Sequence, residues 1–217
     1  MQDYAAQRET MVDGQVRPAD VTKYPVIAAM RAVPREVYVP SEARALAYMG
    51  DDLPLGAGRV LLAPRTFAKM LDALDIGPRD LVLDIGAAHG YGMAVIARLA
   101  EAVVGVEEDA AMAAEAERAL TEQQVDNAVV APGLLADGAP RNGPYDVIVI
   151  EGAVERLPDA LVDQLKSGGR IAAPWHQGGL GVVRIGVKAA GRINWRFGFN
   201  ASAPVLPGFA AERQFEF

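Results

Sequence analysis

The sequence predicts an α/β fold: a doubly wound, mostly parallel seven-stranded sheet, with an N-terminal helical cap and an antiparallel C-terminal hairpin. Three observations predict it. From residue 81 onward short apolar runs alternate with helical stretches, the pattern of parallel strands joined by crossover helices. Leu81-Val82-Leu83 runs through Asp84 into the small-residue stretch Gly86-Ala87-Ala88-His89-Gly90 and then into helical periodicity, a strand, a tight turn and a helix N-terminus. The last two apolar runs, 181–187 and 192–199, are parted only by Lys188-Ala189-Ala190-Gly191, which suits a hairpin. At 51% hydrophobic and 23% charged, the 217 residues have globular composition and are far from disorder.

Residues 1–80 read as short helical pieces between breaks at Pro18, Pro25, Pro34, Pro40 and Pro54. Pro64 opens a stronger helix, with Phe67, Met70, Leu71 and Leu74 at i, i+3, i+4 and i+7. The segment has too few large apolar residues for a core of its own, so it is expected to cap the sheet. The first strand is 81–85, with a helix over about 91–100. The second strand, 102–107, is followed by a helix from the N-cap Asp109 to about Gln123. A short strand at 127–131 and the clearest one, Tyr145–Ile150, come next. A helix over 157–165 ends at Ser167-Gly168-Gly169, and a fifth strand starts at Arg170. The chain is therefore expected to be one domain: a cap over 1–80, a ligand-binding core over 81–175, and C-terminal strands and tail over 176–217.

Composition narrows the function. A net charge of −7, with no run of four basic residues, argues against nucleic acid. There is no cysteine, and His89 and His176 stand too far apart for a local metal site. No window of 18 apolar residues occurs and Met1–Pro18 is charged throughout, so neither a membrane span nor a signal peptide is expected. A cytoplasmic monomer is expected.

The 81–92 junction is the candidate ligand site. Its backbone N–H groups and the helix dipole face a polar ligand, which makes Asp84, Gly86, Ala87, Ala88, His89, Gly90 and Tyr91 candidate binding residues. Glu107 ends the second strand, where an acid accepts both ribose hydroxyls in nucleotide folds, and Glu108 lies beside it. A loop residue such as His89 contributes its backbone more often than acid–base chemistry, and His176 is expected to pack or face solvent. A nicotinamide reading fails because none of the six tyrosines has the lysine four residues on that returns a proton after hydride transfer.

Asp84-x-Gly86-x-Ala88-x-Gly90 resembles the first motif of S-adenosylmethionine-dependent methyltransferases, with Ala88 where glycine is usual. Met11-Val12-x-x-Gln15-Val16, the block Ala29-Met30-Arg31-Ala32-Val33-Pro34-Arg35-Glu36, Leu53-Pro54-Leu55-Gly56-x-Gly58, Tyr145–Ile148 and Gln164-Leu165-x-x-Gly168-Gly169-Arg170 add to it. Over about residues 8–175 the chain is similar to the protein-L-isoaspartate O-methyltransferase family. The resemblance implies a Rossmann-like methyltransferase fold, S-adenosylmethionine as cofactor with S-adenosylhomocysteine as product, and isoaspartyl-containing peptides or proteins as partners in protein repair. The acceptor carboxylate is already ionised at pH 7, so no general base is needed and no catalytic residue is assigned. Positioning and exclusion of water carry the reaction.

Two departures accompany the resemblance. The family loop Gly-x-Gly-x-Thr-x-Ser-x-Pro reads Gly56-Ala57-Gly58-Arg59-Val60-Leu61-Leu62-Ala63-Pro64 here, so Val60 and Leu62 stand for two hydroxyls. The family's Gly-Asp-Gly reads Gly133-Leu134-Leu135, which leaves Leu134 to pack on adenine. Arg59, Val60, Leu61, Leu62 and Val205-Leu206-Pro207 are the implied acceptor-side residues. Arg59 either attracts the acceptor carboxylate or is a solvated loop charge; in the first case Arg59→Ala raises the Michaelis constant and leaves cofactor affinity unchanged. A different methyl acceptor, or a cofactor-binding protein with reduced or lost activity, remain the alternatives.

Overall fold

The computed structural model describes residues 3–177 and 179–211. The proline-broken N-terminal segment forms α1 (Tyr4–Met11), a π turn over Val12–Val16, α2 (Tyr24–Ala32) and 3-10 turns at Arg35–Tyr38 and Ser41–Leu46. A hairpin follows where the sequence predicts a loop: β1 (Leu53–Gly56) and β2 (Arg59–Leu61) pair antiparallel across Gly56-Ala57-Gly58. All three turn residues have positive φ, so the turn uses two glycines where the backbone is left-handed and forces Ala57 to join them. α3 (Pro64–Leu74) buries Phe67, Met70, Leu71 and Leu74 as its periodicity predicts.

The rest is β3 (Leu81–Ile85), α4 (Tyr91–Ile96), β4 (Ala102–Glu107), α5 (Ala110–Glu122), β5 (Ala128–Pro132), β6 (Tyr145–Ile150), α6 (Asp159–Gln164), β7 (Leu165–Gln177), β8 (Leu180–Ala189) and β9 (Arg192–Asn200). One sheet has the order β5-β4-β3-β6-β7-β8-β9. Its first five strands are parallel, and β8 and β9 return antiparallel. The doubly wound, mostly parallel sheet with its terminal hairpin is as expected.

Two boundaries differ. α4 stops at Ile96, because Arg98 and Leu99 bond three residues back, to Val95 and Ile96, and the last turn tightens. Ser167-Gly168-Gly169 lies inside a strand that already begins at Leu165. Pairing with β6 steps from Tyr145↔Leu165 to Val147↔Arg170, so the glycine pair forms a bulge, with Gly168 at φ +80°.

Strand alternation builds two cores. Val82, Val103, Val147 and Val149 face one side, where they share a buried cluster with α4, α5 and the cap residues Met11, Met30, Phe67 and Leu71. Leu83, Ile85, Val106, Ile148 and Ile150 face the other, against Leu161, Leu206 and Phe209. Among the described residues no helix is long and apolar enough to cross a membrane.

Candidate active site

The site is built where β3, β4 and β6 end. Beyond Ile85 the chain turns sharply, and the N–H groups of Gly86 and Ala87 both donate to the Val106 carbonyl of the neighbouring strand. Gly86 and Gly90 have positive φ, and so does Ala88, at +46°. Alanine there costs about 1–2 kcal/mol of steric strain, which a glycine would avoid.

Glu107 is fully buried at the end of β4. Its Oε2 accepts the Ala88 N–H at 2.7 Å, and its Oε1 accepts the N–H groups of Glu108 and Asp109 at 3.0 and 3.1 Å. A fourth donor fills the remaining place: Arg59 Nη2, 2.7 Å from Glu107 Oε2. Arg59 is 4% exposed, so it is not a solvated loop charge, and in this structure its guanidinium is engaged by Glu107. Its guanidinium occupies the notch in front of Gly86, where a Cβ would lie 2.8 Å from Nη2, while buried Nη1 has no hydrogen-bond partner.

A second cluster lies beneath. Asp84 is fully buried and Glu151, the residue after β6, nearly so; neither Asp84 oxygen accepts an N–H. Burial pushes Asp84 up to about 7 against the pull of Glu151 and Arg59. Burial first, then the neighbouring Asp84, raises Glu151 well above the carboxylate range. Both carboxyls are thus shifted toward their protonated forms, each by its burial and Glu151 also by its neighbour. Gly92 makes room for this, since a Cβ there would stand 1.5 Å from Glu151 Oε1.

Arg35 completes the network. It is buried, donates to the Ala47 and Leu62 carbonyls at 2.7 Å each, and lies 4.8 Å over the Tyr91 ring. Burial lowers its pKa against the pull of Tyr91 and Glu151. Two buried guanidinium groups thus lie among three buried carboxyls, and Arg59 pairs with Glu107 directly. Sequence reasoning missed Glu151 and the charge role of Arg35; the signals available were an acid directly after the apolar run 145–150 and an arginine inside an otherwise buried block.

The other expected residues are spread unevenly. Tyr91 is buried against Tyr38 and Phe67, and His89 is half-buried with Nδ1 unpartnered. Leu61 and Leu62 are buried in the core and Val60 is half-buried, so this strand presents no hydroxyl. Glu108 is exposed, and Leu134 stands 63% exposed beyond β5. Val205 bridges to Ala153, Leu206 packs over Gly86 and Gly152, and Pro207 is exposed. A cavity of about 230 Å³ opens here between Ala57, Arg59, Glu107, Glu108, Asp109 and Pro207. It joins the hairpin turn, the end of β4 and the C-terminal segment. A larger hollow of about 320 Å³ by Pro34, Ala97 and Gln124 lies at the opposite ends of the strands and holds none of the acids. No cluster of metal-ligating residues occurs among the described residues.

A parallel sheet with a small-residue turn after β3 and a buried acid ending β4 is a nucleotide-binding arrangement, and the seven-stranded order closed by antiparallel strands fits the S-adenosylmethionine-dependent methyltransferase class. The chain superimposes on a protein-L-isoaspartate O-methyltransferase structure with a TM-score of 0.82 at 22% identity, over 93% of this chain and 66% of that one. A Plasmodium falciparum structure named for the same enzyme, in complex with S-adenosyl-L-homocysteine, gives 0.78 at 18% identity, over 95% of this chain and 99% of that one. Residues 6–196 match the family model for protein-L-isoaspartate(D-aspartate) O-methyltransferase, and the chain belongs to that family of enzymes. Protein-L-isoaspartate O-methyltransferase 1 of Rhodopseudomonas palustris is 40% identical over 171 residues, 79% of this chain and 70% of the relative.

The donor set suits the family's cofactor. A buried carboxylate at the end of β4 offers lone pairs to ribose hydroxyls, and the bare Cα of Gly86 admits close approach. The place beside both is taken by the Arg59 guanidinium, the one donor to Glu107 that is a side chain.

Proposed function

We propose that this chain transfers a methyl group from S-adenosylmethionine to the free carboxylate of L-isoaspartyl residues in damaged proteins. The observation that carries the reading is the buried Glu107 beside the Gly86–Gly90 turn, within a fold and sequence of this family. The loop 86–90 would hold the amino-acid portion, Glu107 the ribose, and Leu134 the adenine face. When bound, the cofactor supplies an electrophilic methyl on a sulfonium. The chain's own residues position and exclude water: Leu206, packed on Gly86 and Gly152, keeps the inner wall apolar. The acceptor carboxylate needs no base, so the buried Asp84 and Glu151 have no proton to take from it.

Isoaspartyl-containing proteins are the family's substrates, and the finer reading is a cytoplasmic monomer acting as one domain, without nucleic acid or membrane. The net charge of −7 supports the absence of nucleic acid. Tritiated-methyl transfer to an isoaspartyl peptide, beside its aspartyl control, tests the assignment; equal labelling of both peptides, or of neither, overturns it. A second reading, a less polar methyl acceptor, is favoured by Val60 and Leu62. Val60→Thr separates the two, because it restores a family hydroxyl at a half-buried position and should speed isoaspartyl methylation only under the first reading.

A further inference from the structure

We infer that Arg59 imposes an order of binding: it closes the ribose cradle on Glu107 until the cofactor displaces it, and once displaced it binds the acceptor carboxylate. The inference rests on the methyltransferase reading above and extends it to a residue with two successive partners.

Competition for Glu107 is the first ground. Three of the four donors to its carboxylate are backbone N–H groups, of Ala88, Glu108 and Asp109, fixed by the turn and by the start of α5. Two ribose hydroxyls can gain Glu107 only by replacing the fourth, Arg59 Nη2. Space gives the second ground, because the guanidinium fills the notch in front of Gly86. A cofactor lying along the 86–90 turn and Arg59 in this position exclude one another.

The inner position is also incompletely satisfied. Buried Nη1 has no acceptor, so Arg59 meets Glu107 through a single nitrogen. A free carboxylate offers the guanidinium fork two parallel hydrogen bonds. Arg59 lines the 230 Å³ cavity together with Ala57 and Pro207, and it stands on the β1–β2 hairpin rather than on the large sheet, so an outward turn of its side chain leaves that sheet in place. Arg59 is the one charged residue between Leu53 and Pro64, and Val60 and Leu62 provide no hydroxyl. An acceptor carboxylate approaching this strand therefore finds Arg59 or only hydrocarbon.

Calorimetry tests this, with S-adenosylhomocysteine and an isoaspartyl peptide as probes. In the wild type the peptide should bind at least tenfold more tightly when S-adenosylhomocysteine is present. Arg59→Met, which keeps the apolar stem, should bind S-adenosylhomocysteine about ten- to a hundredfold more tightly, the worth of one charge-assisted hydrogen bond no longer displaced. Its Michaelis constant for the peptide should rise at least tenfold. Unchanged S-adenosylhomocysteine affinity in Arg59→Met overturns the inference and leaves the proposed function standing. Absence of S-adenosylhomocysteine binding in both proteins overturns the proposed function together with it. Should Arg59→Met not fold, the wild-type measurement decides alone: peptide affinity indifferent to S-adenosylhomocysteine refutes the order.

Discussion

The sheet and the N-terminal cap bring opposite charges to one buried place. Asp84, Glu107 and Glu151 come from β3, the end of β4 and the residue after β6, whereas Arg35 and Arg59 come from the 3-10 turn after α2 and from β2. Either half alone would bury charges without partners, at several kcal/mol per ion. The surface treats charge differently. Arg118 on α5 bonds Glu115 and Glu122 one turn to either side, all three exposed, and such pairs contribute a few tenths of a kcal/mol each. The difference teaches that the cap meets the sheet through a buried ion pair as well as through the apolar residues around Met30 and Phe67.

Glu107→Ala should break that comparison hardest. It removes the partner of Arg59 and the acceptor of three backbone N–H groups, and should cost about 3–5 kcal/mol in urea unfolding. A loss below about 1 kcal/mol would mean that the cap docks without the charge pair. Gly92→Ala comes next. Its Cβ must displace the Glu151 carboxyl, an overpacking cost of about 1–3 kcal/mol, and the double variant with Glu151→Ala should recover most of it. Additive losses would show that the Gly92 gap does not serve Glu151.

A more gradual effect is expected with pH. The folded pair Asp84–Glu151 keeps a proton that an unfolded chain loses near pH 4. Its contribution is therefore complete below that range and is lost as the pH rises through about 7, at a slope of at most about 1.4 kcal/mol per pH unit. Thermal melts from pH 5 to 8 should show this slope in the wild type and a flatter one in Glu151→Gln; parallel slopes would mean that the pair does not hold the proton. Arg118→Ala should change stability by about 0.5 kcal/mol or less, and an effect comparable to that of Glu107→Ala would erase the distinction between surface and buried pairs.

Locality separates what could be read in the chain from what could not. Glu107 was found because the strand, the turn and the next strand are consecutive, so its place beside Gly86 follows from one βαβ unit. The bond from Arg59 to Glu107 joins two elements whose relation depends on how the cap docks, and no periodicity encodes docking. The same holds for Glu151, which reads as an ordinary strand-end acid until β6 is laid beside β3 and its carboxyl meets Asp84. Ser167-Gly168-Gly169 looked like a helix stop because Gly-Gly serves equally well in a bulge, and only pairing with β6 distinguishes the two.

The segment around Leu206 has a consequence for how the molecule is made. Pro204 accepts the N–H of Ala153, Leu206 donates to the Ala153 carbonyl, and Phe209 accepts the N–H groups of Glu155 and Arg156. These residues emerge from the ribosome only after the whole β8–β9 hairpin. A nascent chain ending at Asn200 already has the acidic floor and the arginine that neutralises it, yet lacks Leu206 over Gly86 and Pro207 at the cavity mouth. The wall over Gly86 is thus the last part of the cavity to be synthesised, and it leans on a sheet that precedes it in the chain.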